Sequence, residues 1–370
     1  MMYNSDNYPD PEIVYDCDEL QLLKFTTNSD ITLITFDIMH AKANGRNAFA
    51  LNLARRLGLN YYAFVPKRPN WYPTNITQSI AQKIAAEKDR PSIGYGASMG
   101  GYGVLKHAYT LSTDATLAFS PQATISPEKT GDSDKRYTKY YHPDKNTNMD
   151  ILDHEIGPNS YVICDPTFKQ DRFQRSLLPL SIKSIDLPSI GHSSAAAMVP
   201  SRNAYANFLD ALSAQSGTLE KRLVMASQDT LAYNLTQTRQ ALDESRPDDA
   251  LRVINATIER HGEIRDALAL RAQCYAATGD PNLGIEILRK ILSENPNLVS
   301  IWRDLARLLE ANGQMDVAID ELTSGLAASQ NGFLALQLFK LLKKQDQRKA
   351  KKFARSARIQ WPERARHFEV

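Results

Sequence analysis

Along the first 230 or so residues, short apolar runs alternate with amphipathic stretches; beyond them only helical spacing remains. The runs Leu20–Phe25, Ile31–Phe36, Asn60–Val65, Pro91–Tyr95, Thr116–Phe119, Tyr161–Cys164 and Ile182–Leu187 are short and largely apolar on both faces, as strands buried in a parallel sheet are. Between and after them, Phe49–Leu57, Ile76–Glu87, Tyr102–Leu111 and Ala204–Leu212 carry apolar residues at helical intervals. This alternation predicts right-handed crossovers and a mostly parallel sheet covered by helices. Residues 1–29 read as polar and irregular, with an edge strand at Leu20–Phe25. Residues 123–158, with Tyr137, Tyr140, Tyr141, His142, His154 and many charges, have little periodicity. An insertion of that length is expected to cap a site or to run as a surface loop, with both histidines solvated.

From about residue 231 a 34-residue period sets in. Ala250, Gly284 and Ala318 keep that interval, as do Ile254, Leu288 and Leu322, the glycines Gly279 and Gly313, and the pair Leu268 and Trp302. Three units fit at 231–264, 265–298 and 299–332, and a degenerate fourth covers 331–364. The linker is expected near 214–217, after Leu212, and the division into two domains at 228/229.

Composition narrows the classes. A chain of 370 residues can hold two cores, and a net charge of +2 gives no general field for nucleic acid. One exception is local: between Lys340 and Arg358 stand nine Lys or Arg and one Asp, either a solvated face or a site for an acidic partner or anionic lipid. Cys17, Cys164 and Cys274 have no CxxC spacing, which argues against a disulfide framework or a zinc site, and no cofactor motif is present. The start lacks the basic and apolar segments of a signal peptide, and no apolar run is long enough to span a membrane, so a cytoplasmic location is expected.

The chemistry concentrates in Gly96-Ala97-Ser98-Met99-Gly100, a G-x-S-x-G pattern between a strand and a helix, with five glycines from Gly94 to Gly103. At a sharp strand-to-helix turn, side chains flanking the serine would collide with neighbouring backbone, and Gly96 and Gly100 remove them. The helix that follows brings free N–H groups and its positive end beside the Ser98 oxygen. A glycine-rich turn with Ser98 as helix cap is the plainer alternative.

With this motif, residues 31 to about 212 resemble an α/β-hydrolase of the serine-esterase type. Phe119-Ser120-Pro121-Gln122 and Asn70-Trp71-Tyr72-Pro73 resemble a bacterial subgroup associated with surface polysaccharides. The resemblance implies an acyl-enzyme on Ser98, with an acid and a histidine following in that chain order on loops after later strands. Asp165 and His192 meet that requirement; Asp171 and Asp186 are the alternatives for the acid. The fold also implies an oxyanion hole from the Met99 N–H and from Asp37 or Ile38 after the first central strand, although Asp37 can equally cap a helix. Trp71 and Tyr72, with Lys67, Arg68, Tyr137 and Tyr140, suit a carbohydrate or an anionic group.

The second half resembles the tetratricopeptide repeat, with Gly284 in place of the usual alanine and a first unit lacking its turn glycine. Such arrays grip a peptide or another protein, or join copies of the chain. The expectation is a serine esterase or O-acyltransferase acting on a glycan ester with no cofactor or metal, joined to a repeat domain that binds protein. A non-catalytic scaffold acting through the repeats is the alternative.

Overall fold

The computed structural model describes residues 10–198 and 203–369; the first nine residues of the expected irregular start, and residues 199–202 ahead of the Ala204 helix, lie outside them. The apolar runs become strands of one eight-stranded sheet: β1 (Glu12–Asp16), β2 (Leu20–Phe25), β3 (Thr32–Phe36), β4 (Asn60–Pro66), β5 (Ser92–Ala97), β6 (Ala115–Phe119), β7 (Ser160–Cys164) and β8 (Lys183–Asp186). Their order is β1-β2-β4-β3-β5-β6-β7-β8, antiparallel at β1-β2 and β2-β4 and parallel from β4 to β8. Leu20–Phe25 is therefore not the edge. The short strand β1, most of whose residues are exposed, covers it.

The crossovers run through α1 (Leu51–Leu57), α2 (Thr74–Glu87), α3 (Met99–Lys106), the single turn α4 (Pro127–Thr130) and α5 (Lys169–Ser176). After β8 come α6 (Ala204–Leu212) and α7 (Ser216–Gln228). Because successive strand residues point to opposite faces, the sheet divides its apolar side chains between two layers. Leu33, Tyr61, Val65, Ile93 and Leu117 face α1, α6 and α7. Ile34, Phe36, Phe64, Ala118 and Val162 face α2, α3 and the 123–158 insertion. That insertion is no loose surface loop: Ala123, Ile125, Met149 and Ile151 are buried in the second layer.

The chain divides into two units, residues 1–233 and 234–370. The division falls past residue 228 because Ala232, beyond α7, still packs against the first core with Leu219, Leu223 and Ala226. The repeats consist of α8 (Leu231–Asp243) with α9 (Pro247–His261), α10 (Arg265–Ala277) with α11 (Pro281–Glu294), α12 (Val299–Ala311) with α13 (Met315–Ser329), and α14 (Gly332–Gln345) with α15 (Gln347–Gln360). Where the first unit lacks its glycine, Ser245 takes the same left-handed turn (φ 57°) as Gly279 and Gly313. Gly284 stands where an alanine Cβ would lie 2.5 Å from the Ala272 carbonyl oxygen, so the glycine lets α10 and α11 approach. Among the described residues no helix is long and apolar enough to cross a membrane.

Candidate active site

At the end of β5 the backbone turns sharply into α3, and Ser98 sits at the corner with φ 54° and ψ −119°. Non-glycine residues rarely take positive φ, and such strain persists only where the surroundings enforce it. Here the Ser98 N–H donates to the Phe119 carbonyl (2.8 Å), and the Ser98 carbonyl accepts from Tyr102 N–H (3.0 Å). A Cβ on Gly96 would lie 2.3 Å from Gly100 O, and one on Gly100 2.1 Å from Phe36 O. The glycine spacing is thus a steric requirement of the corner.

Ser98 does not cap α3 with its side chain. Its Oγ lies 3.0 Å from His192 Nε2 instead. The opposite ring nitrogen, Nδ1, is 2.8 and 2.9 Å from the two carboxylate oxygens of Asp171. The three side chains come from the β5–α3 corner, the segment after β8 and the first turn of α5. They form a hydroxyl–imidazole–carboxylate relay, an arrangement able to carry a proton off the serine.

Asp165, expected as the acid, is placed differently. Its carboxylate accepts from the Thr167 N–H (2.8 Å), the Thr167 hydroxyl (2.6 Å) and the Gly191 N–H (2.8 Å). It therefore fixes the backbone just before His192 and does not face the ring. Asp171 takes the position at the ring because residues 169–176 form a helix, where sequence pattern suggested a loop. Asp186 pairs with Arg175.

The insertion supplies side chains that sequence reasoning left out of the site. Arg136 grips Asp134 through Nε and Nη2 (2.8 Å each) and reaches Asp171 Oδ1 from Nη1 and Nη2 (3.1 Å each), lying over the rings of Phe168 and Tyr137. Burial opposes the charge on Asp134, but hydrogen bonds from Arg136 and Gln174 outweigh it and hold that carboxyl below its usual range. The Tyr137 hydroxyl is 3.4 Å from His192 Nε2, and burial raises its pKa. From the loop after β6, the fully buried Gln122 sets its amide 3.2–3.3 Å from Ser98 Oγ, with Nε2 also donating to Ser120 O (3.3 Å). The Ser120 hydroxyl bonds that of Ser194 at 2.7 Å, tying this loop to the histidine segment.

Of the expected oxyanion donors, Met99 is the first residue of α3, where a backbone N–H has no partner within the helix. The Asp37 N–H, however, is spent on Phe64 O (3.0 Å) in the sheet, and the Ile38 N–H on the Asp37 side chain (3.0 Å). Neither is open to a ligand in this arrangement. The Asp37 carboxylate also accepts from the Phe49 N–H just before α1 (2.9 Å), and burial pushes its pKa to about 6.

Trp71 and Tyr72, expected to meet substrate, are both fully buried. Both take positive φ (49° and 47°), which turns their rings inward. The Tyr72 hydroxyl donates to Asp37 O (2.7 Å), and Trp71 packs against Tyr137 and Tyr140. They support the floor of the site and the insertion above it.

Comparison with known proteins bears mainly on the second unit. The tetratricopeptide repeat family matches residues 265–308, and no curated protein matches the chain. Among solved structures, the chain is similar to the capsule O-acetyltransferase of Neisseria meningitidis serogroup A (16% identity, 53% of this chain and 93% of that one, TM-score 0.42). It is also similar to the MamA protein (14% identity, 48% and 96%, TM-score 0.32) and to an O-GlcNAc transferase of Thermobaculum terrenum (18% identity, 35% and 25%, TM-score 0.29). A mixed α/β sheet unit is thus followed by a helical region containing tetratricopeptide repeats.

Proposed function

We propose that the first unit is a serine esterase or O-acyltransferase of the α/β-hydrolase type that carries an acyl group on Ser98. The observation behind this reading is the unbroken chain from Ser98 Oγ through His192 to Asp171, at 3.0 and 2.8 Å. The strained φ of Ser98, with its hydroxyl turned away from the helix it begins, favours turnover over a scaffold, because a mere turn has no use for that strain.

In the first half-reaction, Ser98 Oγ bonds to the ester carbonyl carbon as its proton passes to His192 Nε2. Asp171 stabilises the imidazolium, and Arg136, braced by Asp134, holds Asp171 in place. The carbonyl oxygen becomes an oxyanion facing the Met99 N–H and the Gln122 amide N–H; a preorganised donor of this kind contributes about 10²–10³-fold in rate. Collapse breaks the bond to the leaving oxygen, which departs with the proton from His192. In the second half-reaction, water or a sugar hydroxyl gives its proton to His192 and attacks acyl-Ser98. The bond to Ser98 then breaks, and the serine recovers the proton. The likeness of the Phe119–Gln122 and Asn70–Pro73 segments to polysaccharide-associated hydrolases supports a glycan as the acyl carrier or acceptor. The repeats would dock a protein partner.

Intact-mass spectrometry after brief incubation with an activated acetyl ester tests the reading. The expected result is an acetyl increment that maps to Ser98 and is lost in Ser98→Ala. Turnover of the ester by Ser98→Ala at the wild-type rate would overturn it.

A further inference from the structure

The last helix pair carries charge unlike that of the repeats before it. In the repeats before it several cations are matched with acids: Arg246 with Glu244 and Asp249, Arg252 with Asp249, Arg289 with Glu321 and Arg307 with Asp304. On α14 and α15, Lys344 reaches Glu310, and the one acid, Asp346, serves as the cap of α15 by accepting from the Arg348 and Lys349 N–H groups. Among the described residues, Lys340, Arg348, Lys349, Lys351, Lys352 and Arg355 are exposed and make no ion pair.

This arrangement works against the isolated protein. Arg348 and Lys352, and Lys351 and Arg355, stand four apart; Lys352 and Arg355, and Arg355 and Arg358, stand three apart. Like charges at those spacings face each other on a helix and repel. Arg348 and Lys349 also occupy the first turn of α15, where the helix dipole disfavours cations. With Ala350, Ala354 and Ala357 buried against the repeat, these charges dominate the outer face of α15. A facing layer of negative charge would relieve all of these penalties together.

We propose that the outer face of α14 and α15 docks on an anionic lipid surface. Its cations are spread around the exposed half of a helix and over its neighbour rather than converging on a point, which suits a diffuse field. Four of the six are lysines, compact hydrated charges without the planar fork that recognises a single carboxylate or phosphate. On the stripe formed by Arg348, Lys352 and Arg355, the next position is Ile359, 84% exposed, an apolar side chain placed among cations as in helices that lie at a bilayer surface. The attachment is peripheral and independent of the chemistry at Ser98.

Co-sedimentation of the full chain with phosphatidylcholine vesicles, with and without phosphatidylglycerol, tests this. The expected result is binding only to the anionic vesicles, falling steeply as salt is raised. Each cation near such a surface contributes about fivefold, so replacing Arg348, Lys351, Lys352 and Arg355 together by Gln should weaken partitioning by several hundredfold. Ile359→Ser should weaken it further in a way that salt does not abolish. Failure of wild-type protein to sediment with anionic vesicles at low salt would overturn the proposal. So would undiminished binding by the fourfold variant, or capture of the wild type by soluble poly-glutamate and not by vesicles. The salt series on wild-type protein keeps the test decisive if the variant folds poorly.

Discussion

Replacing Asp171 by Asn separates the two candidate acids with almost no change of shape. In the native site both Asp171 oxygens lie within 2.9 Å of His192 Nδ1, while Oδ1 also accepts two N–H groups of Arg136 at 3.1 Å. An asparagine offers one acceptor and one donor group to the same partners. If its oxygen turns to Arg136, its amide N–H faces Nδ1 and favours the tautomer with the proton on Nε2, which cannot accept a proton from Ser98. If its oxygen turns to His192, the amide donors meet those of Arg136. Asp134 keeps its double hold on Arg136 in either case, so the insertion stays seated. A serine–histidine pair with the wrong tautomer loses about 10⁴-fold in kcat, about 5 kcal/mol of transition-state stabilisation. The assay is kcat/KM on an aryl acetate for Asp171→Asn beside Asp165→Asn. Asp165 holds backbone and hydroxyl groups of the loop, so its variant should lose about 1–3 kcal/mol of stability and keep most of its turnover. A 10⁴-fold loss in Asp165→Asn with Asp171→Asn within tenfold of wild type would refute this reasoning.

Gln122→Ala should lower kcat by about 10²–10³-fold with little change in KM; a kcat within threefold of wild type would show that the Gln122 amide does not hold the oxyanion. His107 is buried and neutral, its pKa driven down to about 3 first by burial and then by the neighbouring Lys106. The unfolded chain binds a proton there below about 6.5 and the folded chain does not, so stability falls as the pH drops through that window, by about 3 kcal/mol between pH 7 and 4. Urea titrations at the two pH values should show that loss in wild type and a shallower one in His107→Gln, and equal losses would contradict it. Gly100→Ala drives a Cβ to 2.1 Å from a backbone oxygen of β3 and should abolish folding or lower Tm sharply, read by thermal melts; an unchanged Tm would show that the corner can open.

The parts visible in the sequence are those encoded by local pattern. Buried strands announce themselves because both faces are apolar, and the corner at Ser98 because its glycine spacing answers a steric demand within five residues. His192 stands directly after a late strand. What was hidden depends on contacts through space or on weakly patterned segments. β1 lies at the sheet's edge, pairs on one side only and leaves Ile13 and Val14 exposed, so no buried apolar run marks it. The segment Lys169-Gln170-Asp171-Arg172-Phe173-Gln174-Arg175-Ser176 hides its helix because the residues it buries are Asp171 and Gln174, and without that helix Asp165, directly at the end of a strand, looks the better-placed acid. Its only local clue is an acidic residue at what becomes a first helical turn. Arg136 and Gln122 reach the site across long stretches of chain, and no spacing rule marks them. Trp71 and Tyr72 resemble a sugar platform in composition, but two successive positive φ angles fold them inward, a backbone choice their side chains do not advertise.

The central claim is that His192 activates the Ser98 hydroxyl. It is tested most directly by treating folded full-length protein with a fluorophosphonate and mapping the adduct by mass spectrometry. The account predicts one adduct, on Ser98, absent in Ser98→Ala and formed far more slowly in His192→Ala. An unlabelled wild type, or an adduct on another residue that persists in Ser98→Ala, would contradict it.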